Sequence, residues 1–125
     1  MVKQRPIYLN LVKIRLPLPG IVSILHRISG AALFVFGIPL LLACVAWSLT
    51  SSDAYSELRG TFAHPLIKLL LIGFVWAYIH HFCAGIRYLL LDVHQGIELA
   101  PARRSSAVVI AVSIALTLIV AVRLW

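Results

Sequence analysis

The chain has 125 residues, 62% of them hydrophobic and 12% charged, and its mean hydropathy is +1.00. A water-soluble domain this small exposes too much of its chain to tolerate so little polar surface, so composition excludes an ordinary soluble globule and fits a single domain dissolved in a bilayer. The net charge of +7 would suit nucleic acid in a polar chain. Here the basic residues stand at the ends of apolar runs, the pattern of membrane orientation, and nucleic acid is not an expected partner.

Residues 1–20 form a basic leader punctuated by proline, with Lys3, Arg5, Lys13 and Arg15 beside Pro6, Pro17 and Pro19. The two later prolines argue against a helix there. The leader lacks the unbroken apolar core of a secretory signal and the Ser/Arg-rich character of a transit peptide. A bacterial inner (cytoplasmic) membrane is therefore expected.

A first span is predicted over 21–49. Its uncharged stretch from Ile28 to Leu49 has 22 residues, about 33 Å as a helix, enough to cross. Pro39 lies mid-span and predicts a kink. Thr50 to Ala63 reads as a polar loop with Asp53, Glu57 and Arg59. The second span is predicted over 65–92, with Pro65 suited to a first helical turn. Val93 to Arg104 reads as a second loop, and the third span is predicted over 105–124. The leader and second loop carry most of the Lys and Arg, which predicts a cytoplasmic amino terminus and a periplasmic carboxy terminus. Cys44 and Cys83 lie inside apolar runs, without metal-ligand spacing, and read as small hydrophobes rather than a disulfide.

Ionisable groups inside a span cost roughly 2.5–3.5 kcal/mol each at its centre, so each calls for a reason. In the first span Ser23, His26, Arg27 and Gly30 fall at i, i+3, i+4 and i+7, one stripe of a helix, with Gly37 one repeat further. The plain explanation is that Arg27 snorkels to headgroups and His26 bonds a loop. In the second span His81, Gly85, Tyr88 and Asp92 share a face, with Ala77 and Gly73 upstream. Small residues on both sides of an imidazole leave room for a flat group, and imidazole is the usual axial ligand of b-type haem. His80 points about 100° away, toward Trp76, Cys83 and Arg87, which favours His81 as ligand. The alternative is that either histidine bridges helices by hydrogen bonds.

Depth is consistent with the haem reading. His81 lies about 16 Å from the Asp92 end of its helix and Arg27 about 10 Å from Gly20. The guanidinium then stands on the cytoplasmic side of the imidazole, where His26 and Arg27 could hold propionates through charge-assisted hydrogen bonds, with Arg87 as a further candidate for the propionates or for Asp92. The third span has no His, Met or Cys, so a second axial ligand must come from a partner chain or a second copy, or the iron is five-coordinate.

Ser23-Ile24-Leu25-His26-Arg27-Ile28-Ser29-Gly30 resembles the S-x-L-H-R-x-[ST]-G signature of the cytochrome b membrane-anchor subunits of succinate dehydrogenase (succinate:quinone oxidoreductase). His81 to Arg87, followed by Leu91-Asp92, resembles their second motif, H-x-x-x-G-[IL]-R-H-x-x-x-D, and Arg5-Pro6-Ile7-Tyr8-Leu9 resembles their R-P-x-x-L start. The resemblance implies an all-α integral membrane fold of three helices within a bundle shared with a second hydrophobic anchor subunit. It implies haem b on His81, the other ligand coming from that subunit, and propionates on His26 and Arg27. Ubiquinone would meet Ser23 and Arg27, and Asp92 would serve proton delivery.

Succinate would be oxidised on a flavoprotein subunit and electrons would reach quinone through an iron–sulfur subunit. The chain would then be an electron-transport subunit of the tricarboxylic acid cycle, with no succinate-oxidising site of its own. One departure stands out: the family often has histidine where this sequence has Tyr88. The competing expectations are a haem-free structural or assembly protein, and a transporter subunit relaying protons through His81, Arg27 and Asp92.

Overall fold

The computed structural model describes residues 14–125, so Lys3, Arg5, Lys13 and the Arg5–Leu9 motif lie outside the described residues. Its elements are α1 (Leu18–Ala32), a π-helical turn (Leu33–Gly37), α2 (Ile38–Ser48), α3 (Ser52–Ala63), α4 (Pro65–Asp92) and α5 (Leu99–Leu124). Three rods are long and apolar enough to cross a membrane: Leu18–Ser48 with 31 residues, Pro65–Asp92 with 28 and Leu99–Leu124 with 26.

The first rod begins at Leu18, inside the stretch whose prolines argued for an extended chain. Pro19 sits in the first turn, where the missing N–H would have no intrahelical partner. The expected disturbance at Pro39 takes the form of a widened turn just before it. Pro39 offers no N–H and its ring crowds the carbonyl four residues back, and the chain relaxes by closing Ile38 N–H onto the Leu33 carbonyl, five residues back.

The stretch read as a polar loop is the helix α3, which corrects that expectation. Ser51 caps it, its Oγ accepting from the Ala54 N–H at 3.0 Å. Ala54 and Leu58, one turn apart, are the buried face. α5 likewise starts six residues before the expected 105, because Pro101 again falls in a first turn. Between α4 and α5, His94 takes φ 61°, and the amides of His94 and Gln95 bond the carbonyls of Leu91 and Leu90 at 2.9 Å each. This left-handed cap satisfies carbonyls that the ended helix leaves free.

α4 is central, packing on both α5 and α1, while α1 and α5 touch less extensively. Val22, Ala84 and Val109 meet where the three come together. Small residues permit this closeness, as in membrane bundles generally. Three buried hydroxyls on α5 are satisfied within the helix: Ser106 on Ala102, Ser113 on Ile110 and Thr117 on Ser113, at 2.7–3.0 Å. Leucines, isoleucines, valines and phenylalanines stand exposed along all three rods, which suits contact with acyl chains or other helices. Cys44 and Cys83 are unpaired and half-buried.

Candidate functional site

The Ser-x-x-His stripe of α1 faces the His81 stripe of α4. The two imidazoles stack with centroids 4.2 Å apart and planes within 5°. Glycine on each helix makes the approach possible. A Cβ on Gly30 would stand 2.7 Å from His81 Cε1, and one on Gly85 would stand 3.8 Å from His26 Nε2. Each histidine therefore lies over a glycine of the opposite helix.

His81 is oriented by α1. Its Nδ1 lies 3.0 Å from the His26 carbonyl oxygen and 3.4 Å from Ser29 Oγ. A carbonyl only accepts, so Nδ1 carries the proton and donates it, and Nε2 presents its lone pair. The Ser29 hydroxyl donates to the same carbonyl at 3.0 Å. His81 also borders an apolar groove of about 930 Å³ along α1, α2 and α4, walled by Gly30, Gly37, Phe34 and Phe74 and closed at its far end by Tyr55 and Leu58 of α3.

A ring histidine whose Nδ1–H is held by a backbone carbonyl, with Nε2 free beside an apolar cleft, is the donor arrangement that metal-ligating histidines use. Gly30 and Gly37 on the cleft wall add no side chain of their own to it. The residues present thus fit an axially ligated haem.

Other side chains named from the sequence are distributed around this pair. Ser23 is half-buried on α1, whereas Arg27 and Asp92 are exposed. Among the described residues neither of the last two has a polar side-chain partner. His80 points away from His81, stacks on Trp76 at 5.2 Å, and is fully buried beside the Val22 backbone, with no partner of full hydrogen-bond geometry for either ring nitrogen among the described residues. Arg87 turns toward α5, its Nε donating to Ser105 Oγ at 3.0 Å and Nη2 to the Ala102 carbonyl at 3.4 Å.

Sequence reasoning about stripes passed over Ser29, which lies three residues after His26, a spacing that could have flagged it. Tyr88, placed on the His81 face from the sequence, sets its ring 5.0 Å from His26, and its hydroxyl is buried without a partner among the described residues.

The family model for "Succinate dehydrogenase/Fumarate reductase transmembrane subunit" matches residues 1–120. The chain belongs to this family. Among similar proteins, the succinate dehydrogenase cytochrome b556 subunit of Paracoccus denitrificans is 36% identical over 115 residues, covering 92% of this chain and 88% of the relative. The subunits of that name from Rickettsia felis and Coxiella burnetii are 33% and 32% identical. They cover 93% and 98% of this chain, and 90% and 98% of their own lengths. Membership makes this three-helix, multi-pass chain a cytochrome b-type membrane anchor of succinate dehydrogenase, one subunit of an enzyme complex.

Proposed function

We propose that this anchor subunit binds one haem b through His81 Nε2 and forms one wall of a ubiquinone-reducing site. The observation that carries the reading is the bond from His81 Nδ1–H to the His26 carbonyl, which fixes the tautomer and leaves the lone pair on Nε2 of a ring that borders an apolar groove. The relatives' name, cytochrome b556, supports the cofactor.

A bound haem would supply a one-electron carrier. The chain's own residues do the rest. His81 ligates, and Ser29 and the His26 carbonyl hold its ring. His26 and Arg27 hold the propionates by charge-assisted hydrogen bonds. Ser23 Oγ–H donates to a quinone carbonyl, with Arg27 beside it, and Asp92 delivers protons from the water side. Reduction of ubiquinone to ubiquinol takes two electrons and two protons, so a hydrogen-bonding group and a carboxylate on one side of the membrane are chemically apt.

A second hydrophobic anchor subunit would supply the other haem ligand. A flavoprotein and an iron–sulfur subunit deliver the electrons from succinate. The chain spans the bacterial inner membrane with its amino terminus in the cytoplasm, as the Lys and Arg distribution supports, and the succinate-oxidising site lies on another subunit.

The test is the reduced-minus-oxidised spectrum of the purified assembled complex. A b-type α-band should be present in the wild type and in His80→Ala and absent from His81→Ala. A band that survives in His81→Ala would refute the ligand assignment. A second reading, a haem-free anchor, draws on the His26–His81 stack, which by itself ties α1 to α4. It predicts no such band in any of the three proteins.

A further inference from the structure

On the far side of α4 from His26, a second cleft of about 380 Å³ runs between α4 and α5, and it shares no lining residue with the His81 groove. Its walls are apolar, formed by Cys83, Leu90, Val108 and Val112, and its polar end holds Arg87 and Ser105. Leu90, Val108 and Val112 are 51%, 58% and 40% exposed, so the cleft opens onto the bundle's outer surface. Arg87 is only 6% exposed. The chain has four acidic residues, Asp53, Glu57, Asp92 and Glu98. All lie among the described residues, and none pairs with Arg87, whose partners there are the Ser105 hydroxyl and the Ala102 carbonyl.

A buried guanidinium that meets two neutral oxygens and the face of the Tyr88 ring, 5.4 Å away, but no carboxylate among the described residues is an incomplete arrangement. Withdrawing a charge from water is costly unless an opposite charge compensates it. Two of its five N–H donors are used, and both Nη1 hydrogens remain. Arg87 lies five residues from the end of α4, about 7.5 Å along the axis, at the depth where a bilayer turns from acyl chain to headgroup. Arg103 and Arg104, exposed on the first turns of α5, add positive potential at the same end.

We infer that this cleft is a binding site for one anionic phospholipid. The phosphate is held by Arg87 and Ser105, and an acyl chain lies along the apolar walls. A basic pocket between transmembrane helices, open to lipid and set at headgroup depth, is what such headgroups require. The cleft is a different one from the His81 groove, with which it shares no lining residue, and only the Tyr88 ring, between Arg87 and His26, links the two.

The experiment uses the chain purified with its native partners in mild detergent, and counts co-purified phosphatidylglycerol or cardiolipin by native mass spectrometry. Nanodiscs of phosphatidylcholine with and without phosphatidylglycerol measure exchange. Wild type should retain one anionic lipid per copy. Arg87→Gln should lower its occupancy by about fivefold, the effect of one basic residue on anionic lipid. Val112→Phe, which fills the cleft and leaves the charge intact, should lower it as well, while the exposed Arg103→Gln should change it far less.

Equal retention in wild type, Arg87→Gln and Val112→Phe overturns the proposal. So does a crosslink from position 87 to a carboxylate of a partner subunit, or loss of the haem band in Arg87→Gln with lipid content unchanged. Should Arg87→Gln fail to assemble, Val112→Phe alone decides.

Discussion

His26 and His81 stack face to face, 4.2 Å between centroids and 5° from parallel, and each ring rests over a glycine of the other's helix. The relationship joins α1 to α4 at the point where both family motifs lie. It also leaves the two glycines unequal in the room above them.

A methyl group on Gly30 would come within 2.7 Å of His81 Cε1, closer than such atoms approach, whereas one on Gly85 would meet His26 Nε2 at an ordinary 3.8 Å. Gly30→Ala must therefore displace the His81 ring or part the helices, at a cost of about 1–3 kcal/mol. The expected outcome is a lower thermal midpoint of the assembled complex and a reduced haem-to-protein ratio. Gly85→Ala should leave both near wild type. Equal behaviour of the two variants would mean that the stacked arrangement does not persist in the complex.

His80 is the control for its neighbour. Its ring is fully buried and among the described residues neither nitrogen has a partner of full hydrogen-bond geometry, the Val22 backbone offering at most a strained one, so the imidazole has lost its water without full replacement, typically a penalty of about 1–3 kcal/mol. Phenylalanine keeps the contact with Trp76 and removes the polar atoms. His80→Phe is expected to hold or raise the thermal midpoint with the b-type spectrum unchanged. A lost spectrum with a folded complex would move the iron site to His80.

The helix α3 makes a prediction about the outer end of the groove. Ser51 Oγ accepts from the Ala54 amide, and the helix contributes Tyr55 and Leu58 to the groove wall. Ser51→Ala should destabilise α3 by about 1 kcal/mol. Limited proteolysis should then cut within 52–63 sooner, while His81-dependent absorbance is retained.

Much of this was legible from residue order. Hydropathy alone separates three spans, and the 3.6-residue period puts His81 rather than His80 on the face that meets α1. What escaped was of two kinds. Helix starts at Leu18 and Leu99 were hidden by Pro19 and Pro101, since proline in a first turn costs nothing that its absence elsewhere would suggest. α3 was hidden because its polar surface dominates its average, and only Ala54 and Leu58 are buried. The second kind is non-local. No spacing within α4 announces that Arg87 meets Ser105 and Ala102 of the next helix, or that Tyr88 lies beside His26. Those depend on how neighbouring helices slide past one another, which the spacing within a single helix does not record.

The quinone assignment separates from assembly by comparing two electron acceptors. Ser23 is half-buried one turn before His26, and Arg27 is exposed without a polar partner among the described residues, so neither holds the three helices together. Ser23→Ala and Arg27→Leu are therefore expected to leave succinate oxidation by an artificial dye close to wild type. Ubiquinone reduction should fall by about tenfold or more in Arg27→Leu, as when one charge-assisted hydrogen bond of roughly 1.5–3 kcal/mol is removed, and by about two- to tenfold in Ser23→Ala, whose neutral hydrogen bond is worth roughly 0.5–1.5 kcal/mol. Succinate-to-dye and succinate-to-quinone rates measured on the same membranes give the ratio directly. Parallel losses in both assays would count against the quinone role and point to detachment of the soluble subunits instead. If only Arg27→Leu loses haem absorbance as well, its guanidinium serves the propionates, and Ser23 alone carries the contact with the quinone carbonyl.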